Sequence, residues 1–206
     1  VSPVVGGAGA AYRARIAARD FSLELSLAAP RAPLLQGEGG YSRKGHRREE
    51  ASYYYSRPQL AVAGKLNGDA VAGKAWLDHE WSSQYLAPQA AGWDWCGINL
   101  DDGGALTAFR IRGRDGGVHY APPGVAFEPL RSWRSPRTGV AYPVAMRVAA
   151  NGREYDLEPL MDDQELDARA STGTIYWEGA VRARRAGKEV GRGYLELTGY
   201  WKPMQM

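Results

Sequence analysis

Apolar and polar residues alternate most regularly from Phe21 to Leu27. Phe21, Leu23, Leu25 and Leu27 fall on one face, and Ser22, Glu24 and Ser26 on the other. A period of two is the mark of a strand with one buried face. Residues 12–18 alternate more weakly just before it. The stretch 29–50, "APRAPLLQGEGGYSRKGHRREE", breaks the pattern with proline, glycine and charge, and a domain seam is expected there. From residue 51 onward strand-like segments recur at 53–63, 70–81, 93–101, 105–112, 125–133, 142–149, 153–159, 174–184 and 190–201. Turn chemistry separates them, including Asn67-Gly68, Asp102-Gly103-Gly104, Asp115-Gly116-Gly117, Asn151-Gly152 and Ala186-Gly187-Lys188. No segment keeps a helical period; residues 161–170, "MDDQELDARA", offer a turn or two at most. Strands joined mostly by hairpins must hide their edges, and closure into a barrel does so. The expected fold is therefore all-β, a lipocalin-like antiparallel β-barrel of calycin type with extra N-terminal strands; a β-sandwich is the alternative.

Composition narrows the function classes. The 206 residues include 44% hydrophobic ones, enough for a substantial core, and the net charge is only +3. The basic clusters Arg43, Lys44, Arg47, Arg48 and Arg182, Arg184, Arg185, Lys188 read as solvated loops or strand ends, and nucleic-acid binding is not favoured. Cys96 is the only cysteine, so neither an intrachain disulfide nor a cysteine zinc cluster can form. No apolar run approaches the ~20 residues of a membrane helix. The first residue is valine with no signal-like segment after it, and the start reads as a cut or processed end.

"GKAWLDHEWSS", residues 73–83, sets three ionisable residues in a row between two tryptophans. On a strand they divide: Trp76, Asp78 and Glu80 share one face, and Ala75, Leu77, His79 and Trp81 the other. Paired carboxylates facing a lumen would repel one another and lose solvation, which raises one pKa and makes a proton donor. Facing water, they would be solubilising charges. His79 beside Trp81 would suit proton transfer next to an apolar substrate, or be a buried structural histidine. The histidines His46, His79 and His119 lie far apart and no H-E-x-x-H spacing occurs, so no metal is expected. The aromatic-and-acid pattern recurs. Trp93 and Trp95 share one face, opposite Asp94 and Cys96. Tyr176 and Glu178 lie opposite Trp177, and Tyr194, Glu196, Thr198 and Tyr200 lie opposite Leu195 and Leu197. Such a face fits a lumen holding a long apolar or polycyclic ligand, and fits a polar-networked core nearly as well.

"GKAWLDHEWSS", "GWDWCGINLDDGGAL", "YWEGAV" and "GRGYLELTGYW", with "LLQGEGGYSRKG", "ASYYYSRPQLAVAG", "WRSPRTGVAYP" and "DQEL" in order, resemble the carotenoid hydratase and AttH-like family of lipocalin-like proteins. The resemblance runs from about Phe21 to the C-terminus. It implies two lipocalin-like barrels in tandem. The tryptophan-tyrosine motif of the first barrel is absent, so residues 1–50 are expected to be the end of a preceding lipocalin-like domain and a linker, and 51–206 the C-terminal one. The resemblance further implies cofactor-free acid–base chemistry on an apolar isoprenoid or polyketide-like molecule, hydration of a carbon–carbon double bond being the best-known activity. Many bacterial members are described as secreted hydrolases, which points to an extracytoplasmic location. The expected catalytic residues are Asp78, His79, Glu80 and Asp94. Ligand-binding residues are expected at Trp76, Trp81, Trp93, Trp95, Tyr54, Tyr176, Glu178, Glu196 and Tyr200. "DHEWSS" is typical of the AttH-like branch. The alternative is a non-catalytic lipophile carrier associated with an export system.

Overall fold

The computed structural model describes residues 9–83 and 86–204. The described residues are all strand, turn and loop, with no helix among them. Among the described residues two compact groups form: 9–41 with 53–80, and 42–52 with 81–83 and 86–204.

The first unit is built on antiparallel strands β1 (Ala11–Ala17), β2 (Ser22–Ala28), β3 (Leu34–Leu35) and β5 (Ala51–Leu66), ordered β1-β2-β5-β3. β4 (Tyr41–Arg43) and β6 (Asp69–Trp81) also pair with β5. The clear alternation of residues 21–27 is β2, with Leu23, Leu25 and Leu27 half-buried and their neighbours exposed. Gln59 of β5 has a positive φ of 59°.

The second unit is a nine-stranded sheet of β7 (Ala90–Leu100), β8 (Ala105–Gly113), β9 (Val118–Tyr120), β10 (Ala126–Arg134), β11 (Ala141–Ala150), β12 (Arg153–Pro159), β13 (Glu165–Ala168), β14 (Thr174–Arg185) and β15 (Lys188–Thr198). Its order is β10-β11-β12-β14-β15-β7-β8-β9, with β13 on β14. The sheet curls until its far sides meet: Arg110 on β8 donates to the Phe127 carbonyl on β10 at 2.7 Å. A curled single sheet is the barrel expectation, not the sandwich. Within residues 161–170, which offered a turn or two of helix at most, residues 165–168 form β13, paired with β14.

Inside the curl lies one apolar cluster that includes Cys96, Ile98, Tyr142, Val144, Met146, Leu157, Trp177, Leu195 and Leu197, all fully buried. Three of the stretches that carry the resemblance owe their composition to packing and polar contacts here. In "YWEGA" the Trp177 indole lies across Gly179, where any Cβ would collide with it, while its Nε1 donates to the Asp162 carbonyl at 2.8 Å. Gly179→Ala therefore overpacks the core, and urea denaturation is expected to show a loss of about 1–3 kcal/mol. In "WRSPRTG" and "DQEL", Ser135 and Thr138 donate to the two oxygens of buried Glu165 at 2.8 and 2.7 Å, tying the β10–β11 turn to β13.

Candidate functional site

In the first unit β5 and β6 converge on Asp78. Alternation puts Trp76 and Asp78 on one face of β6, and the Trp76 Nε1 donates to Asp78 Oδ1 at 2.7 Å. From β5, Ser56 Oγ donates to Oδ1 at 2.5 Å and the Tyr54 hydroxyl to Oδ2 at 2.8 Å. Gln36 Nε2 in turn donates to Ser56 Oγ at 2.9 Å. Asp78 as a residue stays open to solvent, but its carboxyl group is crowded by these three side chains. Burial raises its pKa, helped by the charge of Glu80; the hydrogen bonds from Ser56, Trp76 and Tyr54 oppose this and do not cancel it. Burial and the neighbouring Asp78 carboxylate also push the Tyr54 phenol well above its ordinary value. Tyr54 therefore stays a donor at every physiological pH. The arrangement is a carboxyl with a raised pKa, aimed by three donors and flanked by an indole.

The other residues of "GKAWLDHEWSS" take different positions. His79 lies on the opposite face of β6 and stacks on Tyr55, ring centroids 5.2 Å apart and planes 9° apart. Glu80 is half-buried and Trp81 exposed. Ser56 and Gln36 were not foreseen: a serine and a glutamine carry no chemical signal in sequence, and only the register of β5 brings them to Asp78.

In the second unit the recurrent aromatic-and-acid face is turned away from the apolar cluster, except for Tyr200, which packs against that cluster. Cross-strand pairing aligns Trp95 with Glu196, and Glu196 with Glu178. Trp93 Nε1 donates to Glu196 Oε1 at 2.8 Å, and Thr198 Oγ1 to the same oxygen at 3.1 Å. The Tyr194 hydroxyl reaches Glu178 Oε2 at 3.4 Å. Burial raises the pKa of Glu178 and pushes Tyr194 up to about 12. Tyr176 is half-buried on this face. The expectation that this face lines the lumen is corrected: the sheet curls around the opposite, more apolar face of Cys96, Trp177, Leu195 and Leu197.

Asp94 does face inward, fully buried. Arg110 Nε donates to it at 2.6 Å, Arg112 Nε at 3.1 Å and the Tyr200 hydroxyl at 2.9 Å. Arg112 also stacks over the Tyr200 ring at 3.8 Å. Burial, and next the Asp94 charge, raise the Tyr200 pKa. Two guanidiniums and a phenol thus converge on this one side chain inside the sheet. Elsewhere in this unit His46 meets His119 edge-on at 5.4 Å, a pairing their distance in sequence concealed. Among the described residues no three His, Cys, Asp or Glu side chains converge as a metal site would require.

The AttH-like family model matches residues 4–200. The chain belongs to the AttH-like family. A solved structure from Nitrosomonas europaea, assigned as an AttH, is 50% identical with a TM-score of 0.88, covering 97% of this chain and 67% of that one. Kievitone hydratase from Nectria haematococca is 18% identical with a TM-score of 0.63, covering 92% of this chain and 65% of that one, a likeness of fold alone. No curated protein is significantly similar to this chain in sequence. The fold of this AttH-like chain is thus the lipocalin-like antiparallel β-barrel type.

Proposed function

We propose that this AttH-like protein is a cofactor-free acid–base enzyme of hydratase type, acting on an apolar, unsaturated isoprenoid or polyketide-like molecule. The observation that carries the reading is the Asp78 carboxyl, with its raised pKa and its Tyr54, Ser56 and Trp76 donors. In the proposed reaction the protonated Asp78 gives its proton to one alkene carbon, and the π pair forms the new C–H bond. The cation left on the other carbon is stabilised by the face of Trp76. Water adds to that carbon and its surplus proton returns to the Asp78 carboxylate, which restores the starting state. Tyr54 and Ser56 hold the carboxyl in place and stabilise the anion between the two proton transfers. Likeness to a hydratase fold supports this choice of reaction.

The test is to supply acyclic isoprenoid alkenes and polyketide-like polyenes to the protein in water enriched in oxygen-18. A product that has gained one molecule of labelled water supports the reading. Substrates recovered unchanged across the panel, with the protein folded, would overturn it.

A further inference from the structure

A concave site lies in the nine-stranded unit, remote in sequence from the Asp78 strand. It is a cleft of about 460 Å³ lined by Arg114, Thr172, Gly173, Thr174, Trp201 and Lys202, with Pro203 and Met204 supplying apolar wall. That volume is in the range of small-molecule sites. Two observations point to a ligand of definite chemistry.

The first is uncompensated positive charge. Arg114 and Lys202 line the cleft and no acid does. Arg114 uses its Nε on the Pro88 carbonyl at 2.9 Å, and its terminal nitrogens meet no carboxylate among the described residues. Lys202 rests over the Trp201 ring, Nζ 4.3 Å from its centroid, and makes no ion pair among the described residues. The nearby Arg169, itself 5.6 Å from the Trp201 ring, is answered by Asp167 at 2.7 Å. That leaves Asp167 engaged and the cleft cationic.

The second observation is a polar side chain without a partner. Thr174 is 5% exposed and lines the cleft, yet its hydroxyl makes no hydrogen bond among the described residues. The hydroxyl of this otherwise buried residue reaches solvent at the cleft, so it is open to a ligand atom or water. The Trp201 indole N–H likewise has no partner among the described residues, which gives the aromatic wall a donor of its own.

We infer that this cleft binds a small organic oxyanion, a carboxylate or phosphate ester carried on a flat apolar body. Arg114 and Lys202 neutralise the anion, the Thr174 hydroxyl and Trp201 N–H donate to it, and the Trp201 ring with Met204 covers the body. Guanidinium forks suit bidentate oxyanion recognition.

Isothermal titration of the full chain with phenyl phosphate, benzoate and inorganic phosphate at low salt tests this. Saturable binding of at least one aromatic anion is expected. Arg114→Gln or Lys202→Gln should weaken it about tenfold or more, as loss of a charge-assisted hydrogen bond does. Trp201→Leu should weaken the aromatic anions more than inorganic phosphate. Preference for benzoate assigns a carboxylate ligand, and preference for phenyl phosphate a phosphate ester. No saturable binding to the wild type would overturn the inference, as would binding unchanged in folded Arg114→Gln and Lys202→Gln variants. Thr174→Val guards against a general charge effect: it keeps the net charge, and must still weaken binding.

Discussion

Asp94→Leu is expected to lower unfolding free energy by about 3–5 kcal/mol, the loss typical of breaking a buried ion pair from one side. Asp94 is fully buried, and the side chains of Arg110 and Arg112 are each only 14% exposed. One carboxylate thus answers two guanidiniums and the Tyr200 hydroxyl. Removing it leaves two cations facing one another away from bulk water. Their remaining contacts, to the carbonyls of Phe127 and Thr198, are too few to replace it. Asparagine should recover part of the loss, since its single oxygen can accept one of the three donors but carries no charge. Guanidinium-chloride unfolding at neutral pH gives both numbers. If Asp94→Leu shifts the midpoint no more than a surface substitution does, the network is not what holds β7, β8 and the Tyr200 segment together. A side chain tied to two guanidiniums and a phenol organises the strand ends around it.

How far the sequence discloses this division depends on what kind of information each residue carries. Alternation separated Asp94 and Cys96 from Trp93 and Trp95, and the strands bear that separation out: the first pair is buried and the second half-buried. Alternation has two faces, however, and does not say which one a curling sheet encloses. That choice shows only in the assembled sheet, where Trp177, Leu195 and Leu197 are fully buried while Trp93, Trp95 and Glu196 stay half-buried. The ion pairs of Asp94 were equally hidden, because Arg110 and Arg112 read as ordinary charges of an alternating strand until pairing sets β8 beside β7. β13 was hidden for a related reason. "QELDA" has no period of its own and is extended only because β14 offers it hydrogen bonds and Ser135 and Thr138 capture Glu165. At Asp78 the acid and its Trp76 partner were legible, two residues apart on one strand. Tyr54 was legible as an aromatic candidate. Ser56 and Gln36 were not, because their arrival depends on register across β5, where Gln59 takes a positive φ.

Asp78→Asn is expected to reduce hydration of a responsive substrate by about 10²–10⁴-fold, the range over which a positioned acid contributes. Asparagine fills the same space and can still accept from Trp76 or Ser56, so the fold should persist and the loss should fall on turnover rather than on substrate binding. The pH profile makes the test sharper. Burial raises the Asp78 pKa above its ordinary 3.8, so the acid form that the reaction requires survives to higher pH than in an exposed carboxyl. Activity should fall as pH rises through that raised pKa, and Asp78→Asn should abolish this limb. The linkage to stability has the same sign. A raised folded-state pKa means the native state holds this proton more tightly than the unfolded chain does. The stabilisation is complete below the ordinary pKa and is lost as pH rises through the folded one. Tyr54→Phe separates positioning from proton donation. Its hydroxyl favours the Asp78 anion, so removing it should move the activity limb to higher pH while lowering kcat, whereas a purely structural tyrosine would leave the limb in place. An unmoved limb in Tyr54→Phe, together with full turnover in Asp78→Asn, would take the proton donor away from this strand pair.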